Sequence, residues 1–122
     1  IFDFIHKDRK NDDQTLLTLY KSAKCLVYPS AHEGFGLPPI EAMSLGCPTI
    51  TGNHPGIMEG VGNASAVFDS NNIPQMQRVM EEYLYTSDKL NKLIELGKIQ
   101  SKNFSWDKCA SDTLDVYKKL LD

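Results

Sequence analysis

The sequence has no apolar run approaching the ~18–20 residues that cross a bilayer, and it opens on no signal-peptide pattern. It also lacks C-x-x-C and any clustered Cys/His set. Its three cysteines, Cys25, Cys47 and Cys109, and its three histidines, His6, His32 and His54, are scattered, which speaks against a zinc site. All three cysteines lie in apolar surroundings and read as small buried thiols of a reducing compartment. G-x-S-x-G, H-E-x-x-H and D-x-D are missing, so the usual hydrolase and metal signatures are excluded and no metal is expected. There is no excess of basic charge: 13 Lys+Arg against 16 Asp+Glu leave a net charge of -3, without the basic footprint of a nucleic-acid binder. No repeat, low-complexity tract or interdomain linker is found. Together these readings predict a soluble cytoplasmic chain.

With 122 residues, the chain is one domain or part of one, and its 41% apolar and 24% charged residues are those of a globular protein. The first residue is not Met, and Ile1-Phe2-Asp3-Phe4-Ile5-His6 reads as a strand without a lead-in, so a piece of a longer protein is expected. Leu16, Leu17, Tyr20 and Ala23 mark one helical face. Cys25 to Tyr28 reads as a buried strand ended by Pro29; Pro38-Pro39 open a helix to about Leu45, and Gly46 closes it. Pro48 to Thr51 is a second strand, Gly52 to Gly62 a loop, and Ala66 to Phe68 a third strand. The remainder is helical, with one face through Ile73, Met76, Met80, Tyr83 and Leu84, another through Leu90, Leu93 and Ile94, and a last through Ala110, Leu114, Tyr117 and Leu121. Met76 and Met80 read as core, and Ser87 and Ser105 as N-caps. This alternation predicts an α/β fold, a parallel sheet flanked by helices. Ligands of such sheets bind beyond the carboxyl ends of the strands, here at the loops 29–37 and 52–56.

One segment there carries chemistry. Glu33-Gly34-Phe35-Gly36-Leu37-Pro38-Pro39-Ile40-Glu41 sets two carboxylates eight positions apart across two glycines and two prolines. A continuous helix cannot run through it, so Glu33 is expected in the loop and Glu41 in the first helical turn. Gly34 and Gly36 allow close backbone approach and positive φ. The N–H groups of Phe35, Gly36 and Leu37 then face an anion at the helix N-terminus, where the dipole favours phosphate by roughly 0.3–2 kcal/mol. Glu41 repels that phosphate but can accept hydrogen bonds from ribose hydroxyls, worth about 1.5–3 kcal/mol each. Taken singly, each feature has an ordinary reading: a helix-capping glutamate, a glycine turn, a solvated loop carboxylate. Their convergence on one strand-to-helix crossing marks the site.

The string Leu19-Tyr20-Lys21-Ser22-Ala23, Val27-Tyr28-Pro29-Ser30, Glu33 to Pro38, Glu41-Ala42-Met43 and Gly46-Cys47-Pro48 resembles the C-terminal domain of the retaining glycosyltransferases of family 4, or group 1. Gly56, Glu59 and Phe104-Ser105-Trp106 agree with it. The resemblance implies the GT-B architecture, two Rossmann-like domains facing across a cleft. Residues 1–122 would be part of the C-terminal nucleotide-sugar-binding domain, with its first part and the N-terminal acceptor domain lying upstream. It implies that Glu33 serves catalysis, that the backbone of Gly34, Phe35, Gly36 and Leu37 binds donor sugar and diphosphate, and that Glu41 holds the ribose. The stretch around Phe4 to His6 resembles the one that meets the base. The donor would be a UDP-, GDP- or ADP-sugar, with no cofactor. The family's Arg/Lys pair that clamps the diphosphate would lie upstream, so the chain alone is expected to be inactive, and an exposed sheet edge offers a route to a dimer. The parent protein is left free to associate peripherally with the cytoplasmic membrane face. The loop through Asn53, His54 and Pro55 departs from many relatives, and His54 is read as a solvent-facing loop residue. Two other readings stay open: a non-catalytic nucleotide-binding domain, and a GT-B sugar-nucleotide epimerase.

Overall fold

Thr49-Ile50-Thr51-Gly52 is short and rich in β-branched side chains, and it forms the middle strand of a three-stranded parallel sheet in the computed structural model, which describes residues 13–121. The elements run α1 (Asp13–Ser22), β1 (Leu26–Tyr28), α2 (Leu37–Ser44), β2 (Thr49–Gly52), α3 (Pro55–Val61), β3 (Ser65–Phe68), α4 (Ile73–Leu84), α5 (Ser87–Ser101) and α6 (Trp106–Leu121). The sheet order is β1-β2-β3, with Val27 opposite Ile50 and Ile50 opposite Ala66. The expected α/β class with a parallel sheet between helices is therefore observed. The expected opening strand around Phe4 to His6 lies outside the described residues.

Both faces of the sheet are covered. Ile50, Ala66 and Phe68 pack with Leu93 of α5 and with Met76, Val79, Met80 and Tyr83 of α4, so Met76 and Met80 serve the core as expected. The opposite side carries Ile40 and Met43 of α2, Ile57 and Val61 of α3, and the partly buried Tyr28 and Phe35. Each large apolar side chain buried this way stabilises the fold by roughly 1.5–3 kcal/mol relative to exposure. Close α2–α5 packing depends on Gly97, where a Cβ would lie 3.0 Å from Met43 Cγ. The buried Ser65 hydroxyl donates to the Thr49 carbonyl at 2.9 Å and lies 3.1 Å from the Thr51 hydroxyl, so these two hydroxyls are paired within the sheet, whereas the buried Thr49 hydroxyl has no partner among the described residues.

Several local expectations change. The segment read as a loop from Gly52 to Gly62 contains α3: Pro55 occupies its first turn, and Ile57 and Val61, four residues apart, bury one face. Gly56 and Glu59 thus sit on a helix. Helix α2 begins at Leu37, one residue before the prolines, and Leu45 is its C-cap; Gly46 follows at φ 78°, as a glycine beyond a helix end does. Ser105 caps α6, its hydroxyl accepting from the Lys108 N–H at 3.1 Å, but Thr86 rather than Ser87 occupies the cap of α5 and makes no side-chain bond there. Cys109 is exposed, not buried, because α6 buries no residue among those described. Its periodic Leu114, Tyr117 and Leu121 are likewise exposed.

Candidate functional site

The chain leaves the carboxyl end of β1 at Tyr28, and Pro29, which lacks an N–H, stops the strand pairing there. The loop then doubles back so that Glu33 lies against that strand end. Tyr28 Oη donates to Glu33 Oε1 at 2.5 Å, and Ser30 Oγ donates to the same oxygen at 2.9 Å. Among the described residues Glu33 Oε2 has no partner. The Tyr28 bond, then the Ser30 bond, hold the Glu33 carboxyl below the ordinary carboxylate range; burial opposes this slightly and the field of His54 adds to it. Reciprocally, the bond to Glu33, followed by burial, pushes the Tyr28 phenol up to about 12.

The loop is fixed from outside by two glycines. A Cβ on Gly56 would stand 2.3 Å from the Glu33 carbonyl oxygen and 2.7 Å from that of Gly34, so the first turn of α3 presses directly on the loop backbone. A Cβ on Gly52 would meet Ser70 Oγ at 2.0 Å and the Ser30 carbonyl oxygen at 2.8 Å. Ser70 Oγ donates to that Ser30 carbonyl at 3.1 Å, tying the loop to the segment after β3. His54, expected to face solvent from a loop, is half-buried and caps α3: its Nδ1 accepts from the Gly56 N–H at 3.2 Å. The His32 ring meets the His54 ring edge-on, 5.8 Å between centroids.

Helix α2 starts where this loop ends. Its N-cap, Gly36, adopts φ 78°, ψ 65°, the left-handed conformation that a side chain would strain, whereas Gly34 needs no positive φ and faces open space. Among the described residues no side chain caps the helix. Pro38 and Pro39 carry no N–H, so the donors left at this N-terminus are the backbone groups of Gly36 and Leu37, with Phe35 just before them. Phe35 turns its ring into the core, edge-on to Phe104 at 5.2 Å, which leaves its backbone to the site. Glu41 is the fifth residue of α2 and so lies in the second turn, not the first. Its side chain is exposed; Tyr20 Oη donates to Oε2 at 3.5 Å, the limit of a hydrogen bond. Burial, then Glu41, raises the Tyr20 phenol. Glu41 also lines a cleft of about 600 Å³ that runs from Phe35 and Leu37 to Trp106 at the start of α6.

Glu33, the backbone of Gly34 to Leu37, and Glu41 therefore lie along one loop-to-helix crossing at the carboxyl edge of the sheet, where an anion can meet backbone donors and a positive helix end. The sequence reading gave no role to Tyr28 and Ser30, which hold Glu33, to Tyr20, which reaches Glu41 only at the limit of a hydrogen bond, or to Ser70. The signals for the first two were their place in the string that carries the resemblance and their position, polar groups at the end of a short strand within five residues of Glu33.

The family model described as "Glycosyl transferases group 1" matches residues 4–100. An O-antigen chain mannosyltransferase B of Escherichia coli is 38% identical over 88% of this chain. An MMP alpha-(1->4)-mannosyltransferase of Mycolicibacterium hassiacum is 29% identical over 99% of it, and a D-inositol 3-phosphate glycosyltransferase of Streptomyces bingchenggensis is 32% identical over 80%. The chain spans only 28%, 30% and 22% of the lengths of these three relatives.

Proposed function

The chain belongs to the group 1 glycosyltransferases, and on that premise we propose that it is the donor-binding part of an enzyme that moves a sugar from a nucleoside diphosphate to an acceptor with retention of anomeric configuration. The observation that carries the proposal is the crossing from Glu33 to Glu41, where uncapped backbone donors and two carboxylates share one edge of the sheet. The diphosphate sits at the N-terminus of α2, against the N–H groups of Gly36 and Leu37. As the glycosidic bond breaks, negative charge grows on the leaving diphosphate, and fixed dipoles aimed there stabilise it without reorganising. Glu33 lies on the sugar side and orients the hexose or balances its oxocarbenium character, while exposed Glu41 accepts from the ribose hydroxyls.

A mannosyl donor is the proposed substrate, because two of the relatives are mannosyltransferases by name. The nucleotide is one of UDP, GDP and ADP. The acceptor binds outside the described residues, across the cleft that the two-domain architecture implies.

The test is transfer by the enzyme that contains this chain, supplied with radiolabelled UDP-, GDP- and ADP-mannose, with the anomeric configuration of the product read by NMR. Retained configuration is expected, together with a strong fall in kcat and little change in donor affinity for Glu33→Gln. Kinetics in which that variant only raises KM contradict the role given to Glu33. Conversion of donor without acceptor favours an epimerase instead, and no conversion under any condition favours a purely binding domain.

A further inference from the structure

Glu33 is an exposed-loop residue by sequence, yet its carboxylate is anchored to the sheet. Two donors converge on one of its oxygens: Tyr28 Oη at 2.5 Å and Ser30 Oγ at 2.9 Å, both on Oε1. Neither donor is free to wander. The Tyr28 ring packs against the cluster of Ile40, Met43, Ile57 and Val61, and the Ser30 carbonyl is tied to Ser70 Oγ at 3.1 Å. A carboxylate held this way by one oxygen presents the other in a single direction, the arrangement that precise substrate positioning requires. We infer that Tyr28, assisted by Ser30, is a positioning residue for sugar transfer: it fastens Oε1 of Glu33 to the end of β1 so that Oε2 alone faces the donor sugar. This rests on the reading of Glu33 as the carboxylate on the sugar side.

The arrangement also decides which form of Glu33 works. Both bonds donate to the carboxylate, so both favour its ionised form, in accord with the downward direction of its titration. Glu33 then acts as an acceptor and a negative charge, not as a proton donor. Among the described residues the other titratable groups near it are few. His54 faces it from the N-terminus of α3, His32 stands edge-on to His54, and Tyr20, with Glu41 beyond it, lies behind Tyr28. Of these only Tyr28 reaches the carboxylate with a hydrogen bond among the described residues.

The test compares wild type, Tyr28→Phe, Ser30→Ala and Ser30→Thr in the enzyme that contains this chain, using whichever of UDP-, GDP- and ADP-mannose the wild type turns over fastest. Phenylalanine keeps the ring in the core, so thermal melting shows whether the fold survives. Tyr28→Phe is expected to lower kcat by roughly ten-fold or more while donor KM changes by less than about two-fold. The acid limb of its kcat–pH profile should move to higher pH, and the Glu33 side-chain carboxyl signal in carbon-13 NMR should titrate at higher pH as well. Ser30→Ala should act in the same direction and Ser30→Thr should recover the loss. An unmoved acid limb or unmoved carboxyl signal overturns the inference while leaving the role of Glu33 standing. A shifted carboxyl signal with unchanged kcat overturns it too, since the contact is then only structural. Full activity in Glu33→Gln removes the reading beneath it, and the inference with it.

Discussion

Gly56 lies so close beneath Glu33 that a Cβ placed on it would stand 2.3 Å from the Glu33 carbonyl oxygen. Helix α3 and the loop that carries the first glutamate therefore meet backbone against backbone. A flexible side chain could swing away from such a contact, but a peptide carbonyl cannot. Gly56→Ala is expected to destabilise the protein by about 1–3 kcal/mol and to shift the amide resonances of Glu33 and Gly34. Chemical denaturation and amide NMR check this; an alanine variant as stable as wild type with unmoved amides contradicts it.

The Tyr28–Glu33 bond has a defined pH window. The Tyr28 phenol is pushed up from 10.0 to about 12, so its contribution is complete below about pH 10 and is lost as pH rises through about 12. The Glu33 carboxyl is lowered from 4.5, so its contribution is complete above that value and is lost as pH falls through its lowered folded value. Ultraviolet titration of tyrosinate, with Tyr28→Phe subtracted, should place Tyr28 near 12 in wild type and closer to 10 in Glu33→Gln. Superimposable curves would show that the bond does not form in solution.

Ile50 is fully buried in the middle strand, against Ala66, Phe68 and Leu93. Ile50→Ala is expected to cost about 2–5 kcal/mol and Ile50→Val about 0.5–1.5 kcal/mol. Lys108→Ala, which removes an exposed ion pair with Asp112, is expected to stay within about 0.5 kcal/mol of wild type. Urea unfolding midpoints read all three, and a Lys108 variant weaker than the Ile50→Ala variant would contradict this ranking.

The sequence made the sheet and the main crossing legible for local reasons. Three short apolar runs alternate with helical periodicity, Pro38-Pro39 mark a helix start, and Gly46 marks its end. What it concealed depended on contacts at a distance. Helix α3 hides in a stretch, Gly52 to Gly62, with four glycines and a proline because its cap is a histidine ring nitrogen and its stability comes from burying Ile57 and Val61, neither of which is visible as a propensity. The apolar face of α6 through Ala110, Leu114, Tyr117 and Leu121 follows a helical period, and Cys109 stands in apolar sequence beside it, but period says nothing about whether a face finds a partner. The second-turn position of Glu41 follows from α2 starting one residue early, at Leu37. The bond from Tyr28 to Glu33 was not legible because Glu33, five residues on, is reached only once the loop folds back over the strand end.

On the proposed function, a nucleoside diphosphate binds where the loop from Glu33 enters α2. Titrating isotope-labelled protein with UDP, GDP and ADP, and following amide shifts by NMR in wild type and Glu41→Ala, tests it most directly. Shifts concentrated between Gly34 and Glu41 are expected, strongest with one of the three nucleotides and greatly weakened in the variant. Shifts that cluster elsewhere, or that are equal in wild type and Glu41→Ala, would contradict it.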